Sequence, residues 1–90
     1  MDNRPLYIKA IEKFGHQAQV IQFIEELNEC AAALARCLNG KTGEIDAMEE
    51  IADVEIMVEQ ARLLFDSEEI EAQKQFKIER LKKYLREKKK

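Results

Sequence analysis

The side chains of this sequence that are best suited to chemistry are two pairs of carboxylates. Glu26 and Glu29 form the first pair, and Glu50 and Asp53 form the second. On a helix, residues three positions apart lie on one face, one turn from each other. Two such helices side by side would bring four carboxylates together, and like charges at that range repel unless a cation lies between them.

Carboxylate oxygens are the ligands of hard cations, so such a cluster would bind Mg²⁺, or Mn²⁺ in its place, before zinc or copper. A site of this kind can hold a polyphosphate and activate a water for in-line attack on phosphorus. It suggests Mg²⁺-dependent hydrolysis of a nucleotide polyphosphate, with Glu25 as the candidate that orients or deprotonates the water. The same carboxylate spacing is also common as solvated charge on exposed helices, and that interpretation stays open.

Other catalytic arrangements do not fit the sequence. A di-iron site in a four-helix bundle needs Glu-x-x-His on each of two helices. The single histidine, His16, follows Gly15, where we expect a cap or loop residue. Gly40 and Gly43 lack the spacing of a phosphate-binding P-loop. The carboxylate pairs therefore remain the candidate site.

Apolar periodicity and turn residues predict an all-α chain of four helices. The predicted ranges are 4–14, about 17–38, 46 to about 65, and 67 to the mid-80s, where the helix frays in its lysines. With 46% hydrophobic and 37% charged residues, the 90-residue chain is expected to form a single domain, residues 1–90. A chain this short buries little surface, so we expect it to self-associate.

Local residues predict where the helices begin and end. Pro5 is tolerated in the first turn of helix one, and Gly15 ends that helix. Asp46, with Glu49 three residues later, resembles a capping box at the start of helix three. Asp66 marks the start of helix four in the same way.

Two faces of helix two differ in character. One is an apolar stripe with steps of four and three residues, a pattern typical of a helix packed along its length: Val20, Ile24, Leu27, Ala31, Leu34 and Leu38. The carboxylate pair lies off this stripe, on a strip with Gln22, Ala33 and Arg36 that is bordered by Phe23, Cys30 and Cys37. We expect another helix to cover part of this acidic strip.

Helix three is apolar around nearly all of its circumference, which indicates a buried helix. Its carboxylates, Glu50 and Asp53, would then need a partner or a metal ion. Cys30 and Cys37 lie about 10 Å apart along helix two, too far for a disulfide. We expect them to be small apolar residues of a protein in a reducing compartment.

The net charge of −3 combines two opposite regions. Residues 77–90 carry eight Lys or Arg and two Glu, a net charge of +6, which leaves −9 for the rest of the chain. The acidic part disfavours nucleic acid as a partner, and the basic helix end, 82–90, is either a solvated terminus or a contact for phosphates. No apolar run approaches the length of a membrane span and no signal peptide opens the chain, so we expect a cytoplasmic protein that makes no membrane contact.

The two acidic motifs resemble those of the all-α nucleoside triphosphate pyrophosphohydrolases, the MazG-like group. That family carries Glu-x-x-Glu, a spacer, then Glu-x-x-Asp, and here Glu-Leu-Asn-Glu at 26–29 precedes Glu-Ile-Ala-Asp at 50–53 by twenty intervening residues. Glu-Lys-Phe-Gly at 12–15 is similar to the family's Glu-Lys-Trp-Gly, and Gln19 stands where a Gln is frequent. Residues 76–81, Phe-Lys-Ile-Glu-Arg-Leu, resemble the closing motif of some small members.

This resemblance implies a four-helix bundle that is completed by homodimers or homotetramers. It also implies Mg²⁺-dependent cleavage of an NTP or dNTP between the α and β phosphates, which gives the monophosphate and pyrophosphate. The implied Mg²⁺ ligands are Glu26, Glu29, Glu50 and Asp53, and the implied substrate contacts are Gln19, Lys77 and Arg80. The alternative is a non-catalytic helical interaction module, which would use the acidic strip and the basic C-terminal end.

Overall fold

The computed structural model describes residues 2–88 as four α-helices and, within that range, no strand. The helices are α1 (Arg4–Phe14), α2 (His16–Leu38), α3 (Glu44–Leu64) and α4 (Ser67–Lys88). The all-α prediction and the number of helices are confirmed. The predicted fraying of the final lysines falls at the edge of the described range and, for residues 89–90, outside it. None of the four helices is long and apolar enough to cross a lipid bilayer.

A single glycine separates α1 from α2. Gly15 has φ 93° and ψ 157°, a backbone conformation that essentially only glycine adopts. Its amide donates to the carbonyl of Ile11 at 2.8 Å, and its own carbonyl accepts from the amide of Gln19 at 3.2 Å. His16 is therefore the first residue of α2, where its Nε2 lies 3.1 Å from the carbonyl oxygen of Leu64. The predicted end of helix one is confirmed.

Helices α2 and α3 form the centre of the molecule as an antiparallel pair. At one end, Gln19 Nε2 donates to Gln60 Oε1 at 2.6 Å, and both residues are buried. Seven residues further along α2, Glu26 lies beside Asp53, which is seven residues back along α3 from Gln60. The two helices thus keep one register over two turns, about 10 Å of contact.

Helix α2 is covered on its acidic strip and largely open on its apolar stripe. Ala33, on the acidic strip, is 0% exposed, whereas the apolar stripe that was predicted to be packed is largely open, with Leu38 88% exposed. Ile24, Leu27 and Leu34 on that stripe are also exposed. The expectation that another helix covers part of the acidic strip is confirmed, and the expectation that the apolar stripe is packed along its length is wrong for the single chain.

Helix α3 is covered on one side only. Its buried residues are Ala47, Met57, Gln60 and Ala61, while Ile51, Ile56 and Val58 are exposed. The prediction that this helix is buried all round is therefore wrong for the described chain. Its predicted cap is also wrong, because α3 begins at Glu44, one turn earlier than a cap at Asp46 allows, and no side chain caps it.

Helix α4 packs against α3 near its start and then leaves the body of the molecule. Arg62 of α3 forms an ion pair with Glu71 at 3.1 Å and donates to the carbonyl of Ser67 at 3.3 Å. Asp66 caps α4, as predicted, by accepting from the amide of Glu69 at 3.1 Å. Large apolar side chains further along α4 are exposed: Phe76, Leu81, Tyr84 and Leu85. The radius of gyration, 16.4 Å, accordingly exceeds the roughly 12 Å of a compact domain of this length.

Candidate metal centre

Three carboxylates converge between α2 and α3. One oxygen from each of Glu26, Glu29 and Glu50 lies within 4.8 Å of the other two. Glu26 and Glu50 are half-buried, and Glu29 is exposed, so the cluster opens to solvent at the edge of the helix pair. Among the described residues these are the side chains that come close enough to share one ion. Three of the four predicted metal ligands are thus brought together.

The convergence follows from two local spacings and one helix register. Within each helix, the paired carboxylates are three positions apart, so both members share a face. Across the antiparallel pair, the seven residues from Gln19 to Glu26 on α2 run beside the seven residues from Gln60 back to Asp53 on α3. Glu26 therefore lies beside Asp53, and three residues further along α2, Glu29 lies beside Glu50. A shift of one residue would rotate the facing side chains by about 100° and separate the pairs.

Electrostatics at Glu26 disfavour its ionised form. Partial burial is the main cause that raises the pKa of this carboxyl group above its usual range, followed by the negative charges of Asp53 and then Glu29. Gln22 opposes the rise, because its Nε2 donates to Glu26 Oε1 at 2.9 Å. The fourth predicted ligand, Asp53, therefore acts on the cluster through its charge even though it lies outside the group of three.

Glu50 shows the same behaviour from the other helix. Partial burial raises its pKa most, and the charges of Glu29, Asp53 and Glu49 raise it further. The positive charge of Arg36 opposes this rise. At both Glu26 and Glu50, therefore, the surrounding protein disfavours the charged carboxylate relative to the neutral carboxyl group.

The donor set fits a hard divalent cation. Glu26 Oε2 and Glu50 Oε1 are both buried atoms that have no hydrogen-bond partner in the described chain. A buried polar atom without a partner costs free energy, and an uncompensated charge costs more. Several carboxylate oxygens with one open side are the ligands that Mg²⁺ takes when waters and phosphate oxygens complete its shell.

The remaining predicted residues lie at different distances from this cluster. Glu25 is exposed on α2, four residues or about one turn before Glu29. Gln19 is buried, and its amide nitrogen is used in the hydrogen bond to Gln60. That Gln19 contacts substrate stays a prediction, and in the structure the side chain of Gln19 contacts Gln60.

The two predicted contacts on α4 lie elsewhere on the chain. Lys77 lines an open groove of about 660 Å³ between α3 and α4 and, with Arg80, Leu81 and Tyr84, a smaller cleft of about 390 Å³. Within residues 2–88, no lysine or arginine of α4 is among the charges that shift the pKa of Glu26 or Glu50. A single chain does not bring Lys77 and Arg80 to the carboxylates.

Arg36 is a residue near the site that the sequence analysis did not select. It lies seven residues after Glu29, two helical turns, and therefore on the same strip of α2. Its position on that strip was visible in the sequence, but its effect on Glu50 of the other helix required the α2–α3 register. The sequence also carried no signal for the buried partner of Gln19, or for the hydrogen bond that Tyr7 donates to Glu59.

Comparison of the chain with protein-family models, with curated proteins and with solved structures finds no match.

Proposed function

We propose that this chain is a Mg²⁺-dependent nucleoside triphosphate pyrophosphohydrolase. It would cleave an NTP or dNTP between the α and β phosphates and release the monophosphate and pyrophosphate. The observation that carries the proposal is the convergence of carboxylates from two Glu-x-x-Glu/Asp motifs, with oxygens of Glu26, Glu29 and Glu50 within 4.8 Å of one another. The resemblance of both motifs to those of the MazG-like family supports the same reaction.

Each carboxylate has a role in this proposal. Glu26, Glu29, Glu50 and Asp53 would hold the cation, and Mn²⁺ could replace Mg²⁺ because both take oxygen ligands. Mg²⁺ held there would neutralise phosphate charge and lower the pKa of a bound water. The two buried, unpartnered oxygens, one on Glu26 and one on Glu50, support this role because a cation would compensate both.

Glu25 is the proposed group that orients the attacking water or removes its proton. It is exposed and lies one helical turn before Glu29, the exposed member of the cluster, on whose side a water and the phosphate chain would have to enter. A carboxylate next to the metal ligands, and not itself a ligand, can accept a proton without releasing the ion. Glu25→Gln is accordingly expected to lower turnover while Mn²⁺ binding is retained.

We also propose that the MazG-like bundle is completed by a homodimer or homotetramer. The support is the open apolar surface of the single chain, which includes Ile24 and Leu34 on α2 and Phe76 and Leu85 on α4. Exposed apolar surface of this extent is typical of protein interfaces. Lys77 and Arg80 lie on α4, which a single chain does not bring to the carboxylates. If these two residues and Gln19 contact the substrate, the α4 helix of a second copy would have to bring Lys77 and Arg80 to the cluster.

A cytoplasmic location is part of the proposal. Cys30 and Cys37 are both free thiols and both half-buried, which fits a reducing compartment. Nucleoside triphosphates, the proposed substrates, are also present in that compartment.

Pyrophosphate release from a panel of NTPs and dNTPs tests the proposed reaction. The assay compares Mg²⁺ with EDTA, and the wild type with Glu50→Gln. Glu55→Gln is the matched control, since Glu55 is an exposed glutamate of the same helix outside the cluster. We expect release that needs Mg²⁺, is lost in Glu50→Gln and is retained in Glu55→Gln. No release from any nucleotide, together with no Mg²⁺ binding, would reject the proposal.

The second candidate is a non-catalytic helical interaction module. The observation that favours it is the course of α4, which leaves the body of the molecule with exposed apolar residues and a basic C-terminal half. Binding through this helix would weaken steeply with salt and would not need Mg²⁺. Truncation after Tyr84 separates the two candidates, because the enzyme should retain activity and a binder that uses the basic end should lose affinity.

A further inference from the structure

Arg36 is the cation that the α2–α3 register places at the edge of the carboxylate cluster. It follows Glu29 by two helical turns, so the two residues share a strip of α2. Ala33, between them, is fully covered, which shows that this strip faces α3. Arg36 therefore lies on the side of the cluster nearest the α2–α3 loop, and its charge is felt at Glu50 on the opposite helix.

The guanidinium group of Arg36 acts on Glu50 through its charge and not through a direct contact. The residue is exposed, and its side chain makes neither an ion pair nor a hydrogen bond to any residue between 2 and 88. Arg62 of α3 contrasts with it, because Arg62 is paired with Glu71 and helps to attach α4.

The chemistry around Arg36 selects its ligand. An anion that approaches the bare cluster is repelled by the carboxylates, but a divalent cation held there would offset part of their negative charge and attract a phosphate oxygen. A phosphate oxygen bound to that cation would then have its other oxygens free, and the planar fork of an arginine is suited to hold two of them. A carboxylate group is a less suitable ligand for Arg36, because the candidate site already contains four carboxylates.

We infer that Arg36 binds a phosphate group of the nucleotide substrate, at the edge of the cluster that faces the α2–α3 loop. This inference rests on the proposed function, because the phosphate reaches Arg36 only through a cation on the carboxylates. Arg36 is then a substrate-binding residue that holds the polyphosphate in place and is not itself a ligand of the metal.

Inorganic pyrophosphate is the probe, since it contains the phosphate groups and does not depend on which base the protein prefers. Calorimetry measures its binding in the presence of Mg²⁺, and electron paramagnetic resonance measures Mn²⁺ binding alone. The variants are Arg36→Gln, Arg36→Lys and, as a control that removes one exposed cation from α1, Lys9→Gln. Circular dichroism checks that each variant keeps its helices.

We expect Arg36→Gln to bind Mn²⁺ as tightly as the wild type, or more tightly, because a positive charge near the cluster is gone. Its affinity for pyrophosphate should fall about tenfold or more, since a charge-assisted pair of hydrogen bonds is lost. Arg36→Lys should lie between the two, because it keeps the charge and loses the fork. Lys9→Gln should match the wild type.

Four results would overturn the inference. Wild type that binds Mn²⁺ but no pyrophosphate, or Arg36→Gln that binds pyrophosphate with wild-type affinity, would remove Arg36 from the substrate site and leave the metal centre in place. Loss of Mn²⁺ binding in Arg36→Gln would show that the residue supports the cluster instead. Wild type that binds no Mn²⁺ would reject the proposed function itself, and Arg36 as a phosphate ligand with it.

Discussion

Gln19 and Gln60 join α2 to α3 through a buried hydrogen bond, 2.6 Å from Gln19 Nε2 to Gln60 Oε1. Their relationship sets the alignment of the two acidic motifs, because Glu26 and Asp53 lie seven residues further along their helices and face each other in the same register. An interaction between two uncharged amides thus helps to determine where four charged groups meet.

Gln60→Ala should destabilise the fold by about 1–3 kcal/mol, because the buried amide of Gln19 would lose its acceptor. Urea unfolding followed by circular dichroism measures the change. The double variant Gln19→Ala/Gln60→Ala is the control, and its cost should be less than the sum of the two single costs. Additive costs would show that the two side chains contribute independently and do not hold the register as a pair.

Gly15→Ala should destabilise the protein by about 1–3 kcal/mol. Gly15 has φ 93°, and an L-residue in that conformation is strained even though open space surrounds the added Cβ. Gly43→Ala is the matched control, because Gly43 also has open space around it but has φ −79°. Thermal unfolding of the two variants should show a large shift for the first and a small one for the second. Equal shifts would mean that the α1–α2 junction does not depend on this conformation.

Glu50→Gln should raise the melting temperature of the metal-free protein at pH 7. The folded state raises the pKa of Glu50 above its ordinary value near 4.5, so the native protein binds more protons than the unfolded chain between these two values. The contribution of Glu50 to stability therefore falls as pH rises through this window and is lower at pH 7 than below pH 4.5. The glutamine variant has no such charge, so its advantage should disappear as the pH falls below 4.5.

Melting curves of Glu50→Gln, Glu55→Gln and the wild type between pH 4 and pH 8 test this dependence. Glu55 lies outside the cluster, so its variant should follow the wild type at each pH. A melting temperature that falls in Glu50→Gln at pH 7 would show that the ionised carboxylate stabilises the metal-free fold.

Mg²⁺ or Mn²⁺ should stabilise the wild type, since a ligand of the native state alone shifts unfolding by mass action. At a free concentration one hundred times the dissociation constant, the gain is about 2.7 kcal/mol, or roughly 10–20 °C in melting temperature for a domain of this size. Glu26→Gln and Glu50→Gln should show little of this shift, and EDTA should reverse it in the wild type. An equal shift in all three proteins would place the bound cation outside the cluster.

Local interactions explain what could be predicted from the sequence. The end of helix one depends on Gly15 and the start of α4 on Asp66, and each acts on backbone groups within four residues. The exception was Asp46, whose spacing to Glu49 resembled a cap although α3 begins two residues before it. Any Asp with a Glu three residues later has this pattern, and the backbone decides whether it lies before the helix or within its first turn.

The sequence by itself determined that four helices form and that each acidic motif presents its two carboxylates on one face, because both properties depend on contacts within a helix. Only the tertiary structure decided which face of α2 is covered, since periodicity identifies the apolar stripe through Ile24 and Leu34 but does not say which neighbour reaches it. The register of α2 against α3 is likewise a contact between residues far apart in sequence. That register, and no local signal, brings Glu29 to Glu50 and puts Arg36 within electrostatic reach of Glu50.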